Sequence, residues 1–148
     1  MEKMLPGDFK EFLKLLNEHK VKYLLIGGYA VGYHGYPRAT NDIDIWVENS
    51  DENANRIVTS IKEFGFSIPE LKPELFQKKK NIIRMGKAPM RIEIVIDIDG
   101  VEFSKCYKKR ITAEIDRIEV CIISLPDLKT NKKASGRNKD LADLDYLP

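Results

Sequence analysis

Two aspartates, Asp42 and Asp44, give the clearest indication of chemistry in this sequence. They alternate with Ile43 and Ile45 in the segment Asp42–Val47, and a period of two predicts a β-strand with one acidic and one apolar face. Because residues two apart on a strand project to the same side, the two carboxylates can converge on one hard cation or on a pair of cations. Oxygen ligands of this kind suit Mg²⁺. The alternative interpretation is an edge strand with a solvated acidic face.

A glycine pair, Gly27 and Gly28, lies upstream of these aspartates and follows the apolar run Tyr23–Ile26. The run predicts a buried strand, and a short helix is expected over residues 29–33. Glycines between a strand and a helix let the backbone approach a ligand closely and leave free amides at the helix start, which suits a phosphate group. A tight strand-to-helix turn would explain the same pair without any ligand.

The other elements that must position these residues follow from periodicity and from turn residues. Because strands and helices do not alternate strictly along the chain, we predict an α/β (α+β) fold with a mixed β-sheet flanked by helices. Asp8 is the expected cap of the first helix. Helices are expected over residues 8–19, 50–65, 125–133 and 138–147. Strands are expected over residues 66–68, 81–85, 90–98, 110–115 and 118–123.

Length and composition exclude several classes of protein. A chain of 148 residues predicts a single domain over residues 1–148, and 43% apolar with 9% aromatic residues excludes a disordered chain. The net charge of +2, from 25 basic and 23 acidic residues, argues against binding of nucleic acid by bulk electrostatics alone. We expect no membrane span and no signal peptide. With Cys106 and Cys121 expected as buried thiols, we predict a cytoplasmic protein.

The order of these features is more specific than any one of them. The block over residues 23–47 resembles the signature of the DNA polymerase β-type nucleotidyltransferase superfamily. It is most similar to a small prokaryotic branch that includes the abortive-infection type IV toxin-like nucleotidyltransferases, and the C-terminal part resembles the closing motif of that branch. The matching positions are Gly27, Gly28, Tyr29, Ala30, Val31, His34, Gly35, Arg38, Ala39, Thr40, Asp42, Ile43 and Asp44, and then Leu125, Pro126, Asp127, Leu128, Lys132, Ala134, Gly136, Arg137, Lys139, Asp140 and Asp143.

The resemblance implies a catalytic metal site. In this superfamily two carboxylates of one strand and a third from a neighbouring strand hold two Mg²⁺ ions, which bind the triphosphate of an NTP and activate an attacking hydroxyl. Asp42 and Asp44 would be the first two catalytic and metal-binding carboxylates. Residues 90–98 offer Glu93 and Asp97 on one face as the third. The family's Arg-Ile-Asp pattern favours Glu93, where a glutamate replaces the usual aspartate, and Asp97 is the alternative.

The same resemblance implies which residues contact the nucleotide. Lys132 is the best candidate to neutralise the triphosphate, because a compact ammonium can follow the phosphates as charge moves. Arg137 and Asp140 are expected to form a salt bridge that orients the last two helices. His34 and Trp46 are expected to pack rather than to take part in chemistry. The nucleotide-binding candidates are Gly27, Gly28, Arg38, Thr40, Lys132 and Arg137.

These observations predict Mg²⁺-dependent transfer of NMP from an NTP to an acceptor hydroxyl, with release of pyrophosphate and a toxin-like role. The first alternative is a catalytically degenerate module that binds nucleotide or metal and acts with a partner protein, and the second is a structural or interaction protein. The acceptor is open between RNA, a protein and a small molecule. Because the site elements occupy most of the chain, we expect the acceptor to be small or to be held by an antitoxin-type partner or a second subunit.

Overall fold

The computed structural model describes residues 5–37, 40–86 and 90–148. Arg38, a predicted phosphate contact, lies outside these ranges. None of the described helices is long and apolar enough to cross a membrane. The helices are α1 (Gly7–Glu18), α2 (Gly27–Tyr33), α3 (Asp51–Phe64), α4 (Phe103–Lys108), α5 (Leu125–Ser135) and α6 (Asn138–Tyr146), with a short 3₁₀ helix at Pro73–Phe76. The strands are β1 (Tyr23–Ile26), β2 (Asp42–Val47), β3 (Ile82–Met85), β4 (Arg91–Val95), β5 (Ile111–Ile115) and β6 (Ile118–Ile122).

The described strands form one six-stranded sheet in the order β3-β4-β2-β1-β6-β5. β2 lies in the interior of the sheet, antiparallel to β1 and parallel to β4. β1 is parallel to β6, while β3 with β4 and β5 with β6 are antiparallel pairs. The predicted mixed α/β sheet flanked by helices is therefore confirmed.

The core determines which face of β2 carries the acidic residues. Ile43 and Ile45 are fully buried, as their alternation with the aspartates predicts. Burying an isoleucine side chain stabilises the fold by about 1.5–3 kcal/mol, and a one-residue slip would move both aspartates into the core. Trp46 is also buried, and its Nε1 donates a hydrogen bond to the Ile96 carbonyl oxygen at 3.2 Å. Trp46 thus packs, as predicted, and does not offer a stacking surface.

Helices α3 and α5 carry their own capping residues, and both begin and end within two residues of the bounds that the sequence predicts. The Ser50 hydroxyl accepts a hydrogen bond from the Asn53 amide at the start of α3, and Gly65 ends that helix with φ +99°. The Ser124 hydroxyl caps α5 in the same way, and Gly136 ends it with φ +66°. These caps separate α5 from α6 by one sharp turn, so the two helices pack against each other beside the sheet.

The structure differs from the local expectations in four places. α2 begins at Gly27 rather than at residue 29, so the glycine pair forms its first turn. Residues 66–68 form no strand; Ser67 and Ile68 there are exposed, and so short a segment buries too little apolar surface to join the sheet. Helix α4 was missed, because a six-residue helix gives little periodicity to detect. Asp8 also does not cap α1, whose N-cap position is Pro6.

Candidate functional site

The acidic residues meet where β1 ends and β2 and β4 run side by side. In the sheet register, Asp44 lies opposite Ile26 of β1 on one side and opposite Glu93 of β4 on the other. The carboxyl groups of Asp44 and Glu93 share a hydrogen bond. Asp42 lies two residues before Asp44 on the same strand, and its charge acts on Asp44. The parallel pairing of β2 with β4 therefore brings three carboxyl groups to one place.

The electrostatics of this cluster are strained by burial and by like charge. Burial raises the pKa of Asp44 to about 7, with further contributions from the hydrogen bond and charge of Glu93 and from the charge of Asp42. Burial also acts to raise the pKa of Glu93, but hydrogen bonds from Arg84 and Asp44 outweigh it and lower that pKa below its usual value. Negative charge is thus concentrated at a partly buried position, where a bound cation would be strongly stabilised.

The glycine pair makes room for the acidic strand. Gly27 has φ +67°, and a Cβ atom added there would lie 2.1 Å from Oδ2 of Asp44. A Cβ atom on Gly28 would lie 2.9 Å from Oγ1 of Thr40. The Thr40 hydroxyl in turn donates a hydrogen bond to the Asp42 carbonyl oxygen at 3.1 Å. Both glycines are therefore required by close packing against the residues that shape the carboxylate cluster.

Gly27→Ala is expected to lower the free energy of unfolding by about 2–4 kcal/mol, because it adds a steric clash to the strain of a left-handed alanine. It should also displace the Asp44 side chain. Gly136→Ala is a matched control, since Gly136 has nearly the same φ of +66° and nothing within 4 Å of the added Cβ. The control should cost about 1 kcal/mol. Urea unfolding of both variants measures the difference, and equal losses would contradict the role assigned to the contact with Asp44.

A cavity of about 570 Å³ lies over the carboxylates. Its walls come from the ends of β1 and β2, from β3 and β4, and from α5 and α6 across the sheet edge. Every predicted site residue within the described part of the chain contributes to it. These residues are Gly27, Gly28, Thr40, Asp42, Asp44, Glu93, Lys132 and Arg137, together with the alternative acid Asp97.

Lys132 is placed differently from the simple expectation of a phosphate contact. It is 3% exposed, and its ammonium nitrogen lies 2.9 Å from Oδ1 of Asp140 and 2.9 Å from Oδ2 of Asp143. Arg137 makes the predicted salt bridge with Asp140, with Nε 3.1 Å from Oδ2. Since its charge is already shared by two aspartates, Lys132 serves in this structure to join α5 to α6.

Two basic residues of the site were not among the sequence candidates. Lys139 is exposed and lines the cavity, and its charge lowers the pKa of Asp44 against the larger effect of burial. Arg84 of β3 lies opposite Glu93 of β4, with Nε 2.8 Å from Oε1 of the glutamate. Lys139 could have been chosen from its place in the closing motif. Arg84 could not, because only the register between β3 and β4 reveals it.

The sequence has two short basic runs, Lys78–Lys80 and Lys108–Arg110, and the second is not part of this cavity. Lys109 pairs with Asp127 at 3.3 Å, and the Arg110 guanidinium lies over the Tyr107 ring at 4.0 Å from its centroid. From the first run, Lys80 does line the cavity. His34 packs as expected, with Nε2 2.7 Å from the Ile123 carbonyl oxygen. Of the two thiols, Cys106 is buried and Cys121 is only half-buried.

The donor set suits Mg²⁺ chemically, although its arrangement is not that of a loaded site. All three side chains offer carboxylate oxygens, the ligands that this hard cation prefers. Within residues 5–37, 40–86 and 90–148, however, no group of three or more His, Cys, Asp or Glu side chains is arranged to hold a metal ion. Glu93 is instead held by Arg84. Asp42, Asp44 and Glu93 would hold the cation once that contact is released.

Fold and site together define a nucleotidyltransferase-like protein. Residues 7–146 match the family described as nucleotidyltransferase of unknown function (DUF6036), and the chain belongs to this family. The fold is similar to that of a presumed nucleotidyltransferase from Thermotoga maritima, with a TM-score of 0.63 and 20% identity over 93% of this chain and 88% of that chain. It is also similar to the fold of an antigenic nucleotidyltransferase-like protein from Paracoccidioides brasiliensis, with a TM-score of 0.53 and 14% identity over 94% of this chain and 73% of that chain. No curated protein matches the sequence.

Proposed function

We propose that this protein is a Mg²⁺-dependent nucleotidyltransferase that moves NMP from an NTP to an acceptor hydroxyl and releases pyrophosphate. The observation that carries the proposal is the convergence of Asp42, Asp44 and Glu93 beside a cavity whose opposite wall is basic. The DUF6036 family and the nucleotidyltransferase-like fold support the general activity.

Glu93 is the third carboxylate in this proposal, in preference to Asp97. Glu93 lies opposite Asp44 within the paired part of β4 and shares a hydrogen bond with it. Asp97 lies beyond the end of β4 at Val95 and is exposed. A carboxylate on a paired strand is held by the sheet, whereas one after the strand must be positioned by a loop.

Each part of the site has a defined task in this reaction. Asp42, Asp44 and Glu93 hold Mg²⁺, which when bound would neutralise the triphosphate and favour attack by the acceptor hydroxyl on the α-phosphorus. Lys139 and Arg137 face the phosphates from the opposite wall. The small residues Gly27 and Gly28 leave space for the triphosphate next to β2. Lys132 keeps α5 and α6 together so that this wall stays in place.

The direct test is a transfer assay with the four labelled NTPs and Mg²⁺ against total RNA and lysate protein. We expect label to appear in one class of acceptor with at least one NTP, and the Asp42→Asn variant to transfer none. The absence of both transfer and NTP binding, across all four nucleotides, would contradict the proposal.

The degenerate module is favoured by one observation, the salt bridge that holds Glu93 to Arg84. Such a module would bind NTP and Mg²⁺ without turnover. Calorimetry separates the two functions, because nucleotide binding in the absence of label transfer to any acceptor would identify the module.

The resemblance to the abortive-infection type IV branch extends the proposal to a toxin-like role with a cognate partner in the cytoplasm. Induced expression in a bacterial host tests this role. Growth arrest by the wild-type chain but not by Asp42→Asn would support it, and unimpaired growth would oppose it. Size-exclusion chromatography of the purified chain tests the alternative that a second subunit holds the acceptor.

A further inference from the structure

Glu93 forms a salt bridge with the guanidinium of Arg84 in this structure. Arg84 on the edge strand β3 lies directly opposite Glu93 in the antiparallel pair with β4. Its Nε donates a hydrogen bond to Oε1 of Glu93 at 2.8 Å. The side chain of Glu93 is 19% exposed, and that of Arg84 is 56% exposed. A half-buried carboxylate is thus paired with a guanidinium that reaches in from the surface.

Glu93 also shares a hydrogen bond with Asp44 of β2, the strand on the other side of β4 from β3. The carboxylate therefore lies between a residue of the proposed metal site and a residue of the edge strand. The bond to Arg84 engages Oε1 of Glu93, and a guanidinium so close to the carboxylate repels any cation that approaches it. A divalent cation and Arg84 would accordingly compete for Glu93.

We propose that Arg84 is a positioning residue that holds Glu93 while the site is empty and must release it when a divalent cation binds. This inference rests on the proposed function, because it takes Glu93 as a ligand. Arg84 supplies positive charge in direct contact with the carboxylate cluster in the absence of metal. Breaking the contact between Arg84 and Glu93 costs free energy, which raises the cation concentration needed to load the site. Arg84 therefore sets the cation concentration at which the site becomes occupied.

The exposure of Arg84 determines how strongly this residue lowers the affinity of the site for a cation. Its guanidinium can move into water without breaking the sheet, since the hydrogen bonds of β3 and β4 are made by the backbone. Solvent-exposed ion pairs are weak, so Arg84 delays cation binding but does not prevent it. Removing it should tighten binding about three- to fivefold.

The test is a titration of the metal-free full-length chain with Mn²⁺, in which the electron paramagnetic resonance signal of the free ion measures binding. Arg84→Gln is expected to bind Mn²⁺ about three- to fivefold more tightly than wild type. Arg91→Gln is the matched control, because the charge of Arg91 also acts on Glu93 from β4. It should change the affinity less than twofold. Arg84→Lys keeps the charge without the Nε geometry and should fall between wild type and Arg84→Gln.

A double-mutant cycle isolates the competition. In a Glu93→Gln background, Arg84→Gln should have no larger effect than Arg91→Gln. Weaker Mn²⁺ binding by Arg84→Gln would overturn the inference, since Arg84 would then orient the ligand. Equal tightening by the two arginine variants would also overturn it, because only net charge would matter. Either result leaves the proposed function intact as long as Asp42→Asn abolishes Mn²⁺ binding, whereas a wild-type chain that binds no Mn²⁺ contradicts both.

Discussion

Asp44→Asn is expected to reduce nucleotide transfer by about 10³-fold or more, the order of loss seen when one member of a catalytic unit is removed. The amide cannot supply the anionic oxygen that Mg²⁺ requires. The same substitution should stabilise the metal-free fold. Because burial raises the folded pKa of Asp44 to about 7, the fold loses stability progressively as the pH rises from the unfolded pKa of this carboxyl group towards 7. At pH 8 the variant should gain about 1–3 kcal/mol in free energy of unfolding.

Asp97→Asn is the control for this prediction, since Asp97 lines the same cavity but is exposed and lies outside β4. It should lower transfer less than tenfold. Activity is measured as Mg²⁺-dependent pyrophosphate release, and stability by urea unfolding in EDTA. Retained turnover in Asp44→Asn would contradict the catalytic role. A loss in Asp97→Asn as large as that in Glu93→Gln would move the third ligand to Asp97.

Lys132→Met is expected to destabilise the fold by about 3–5 kcal/mol, because it leaves two largely buried carboxylates without their shared cation. The hydrogen bonds from Ser135 and Arg137 remain for Asp140. Asp143, whose side chain is 5% exposed, loses the Lys132 ammonium. Adding Asp143→Asn to Lys132→Met should therefore recover part of the loss. Urea unfolding at neutral pH measures all three proteins.

Lys139→Met is the matched control for Lys132→Met, since both lysines line the cavity but Lys139 is exposed. It should change the free energy of unfolding by less than about 0.5 kcal/mol and weaken NTP binding about tenfold. The opposite pattern, with a stable Lys132→Met that no longer binds NTP, would restore Lys132 as the direct phosphate contact.

Local patterns were sufficient for the elements that carry the first two acids. The alternation over Asp42–Val47 predicted both the strand and the burial of Ile43 and Ile45, because side-chain direction on a strand depends only on position along it. Ser50 and Gly65 marked the ends of α3 for a similar reason, since capping is a property of a few neighbouring residues.

The third acid needed more than local pattern. Period and resemblance reduced the choice to Glu93 and Asp97, but only the register of β4 on β2 places Glu93 beside Asp44. Register between strands far apart in sequence depends on packing of the whole sheet, which no short segment encodes.

What the sequence by itself determined is the acidic strand, the glycine pair before it and the capped helices around it, because each rests on interactions between near neighbours. Only the tertiary structure decided that Arg84 contacts Glu93, that Lys132 is buried between Asp140 and Asp143, and that Lys139 faces the acids instead. A charged side chain takes its role from the partners and the burial that it meets, and those are set by residues brought together from distant parts of the chain.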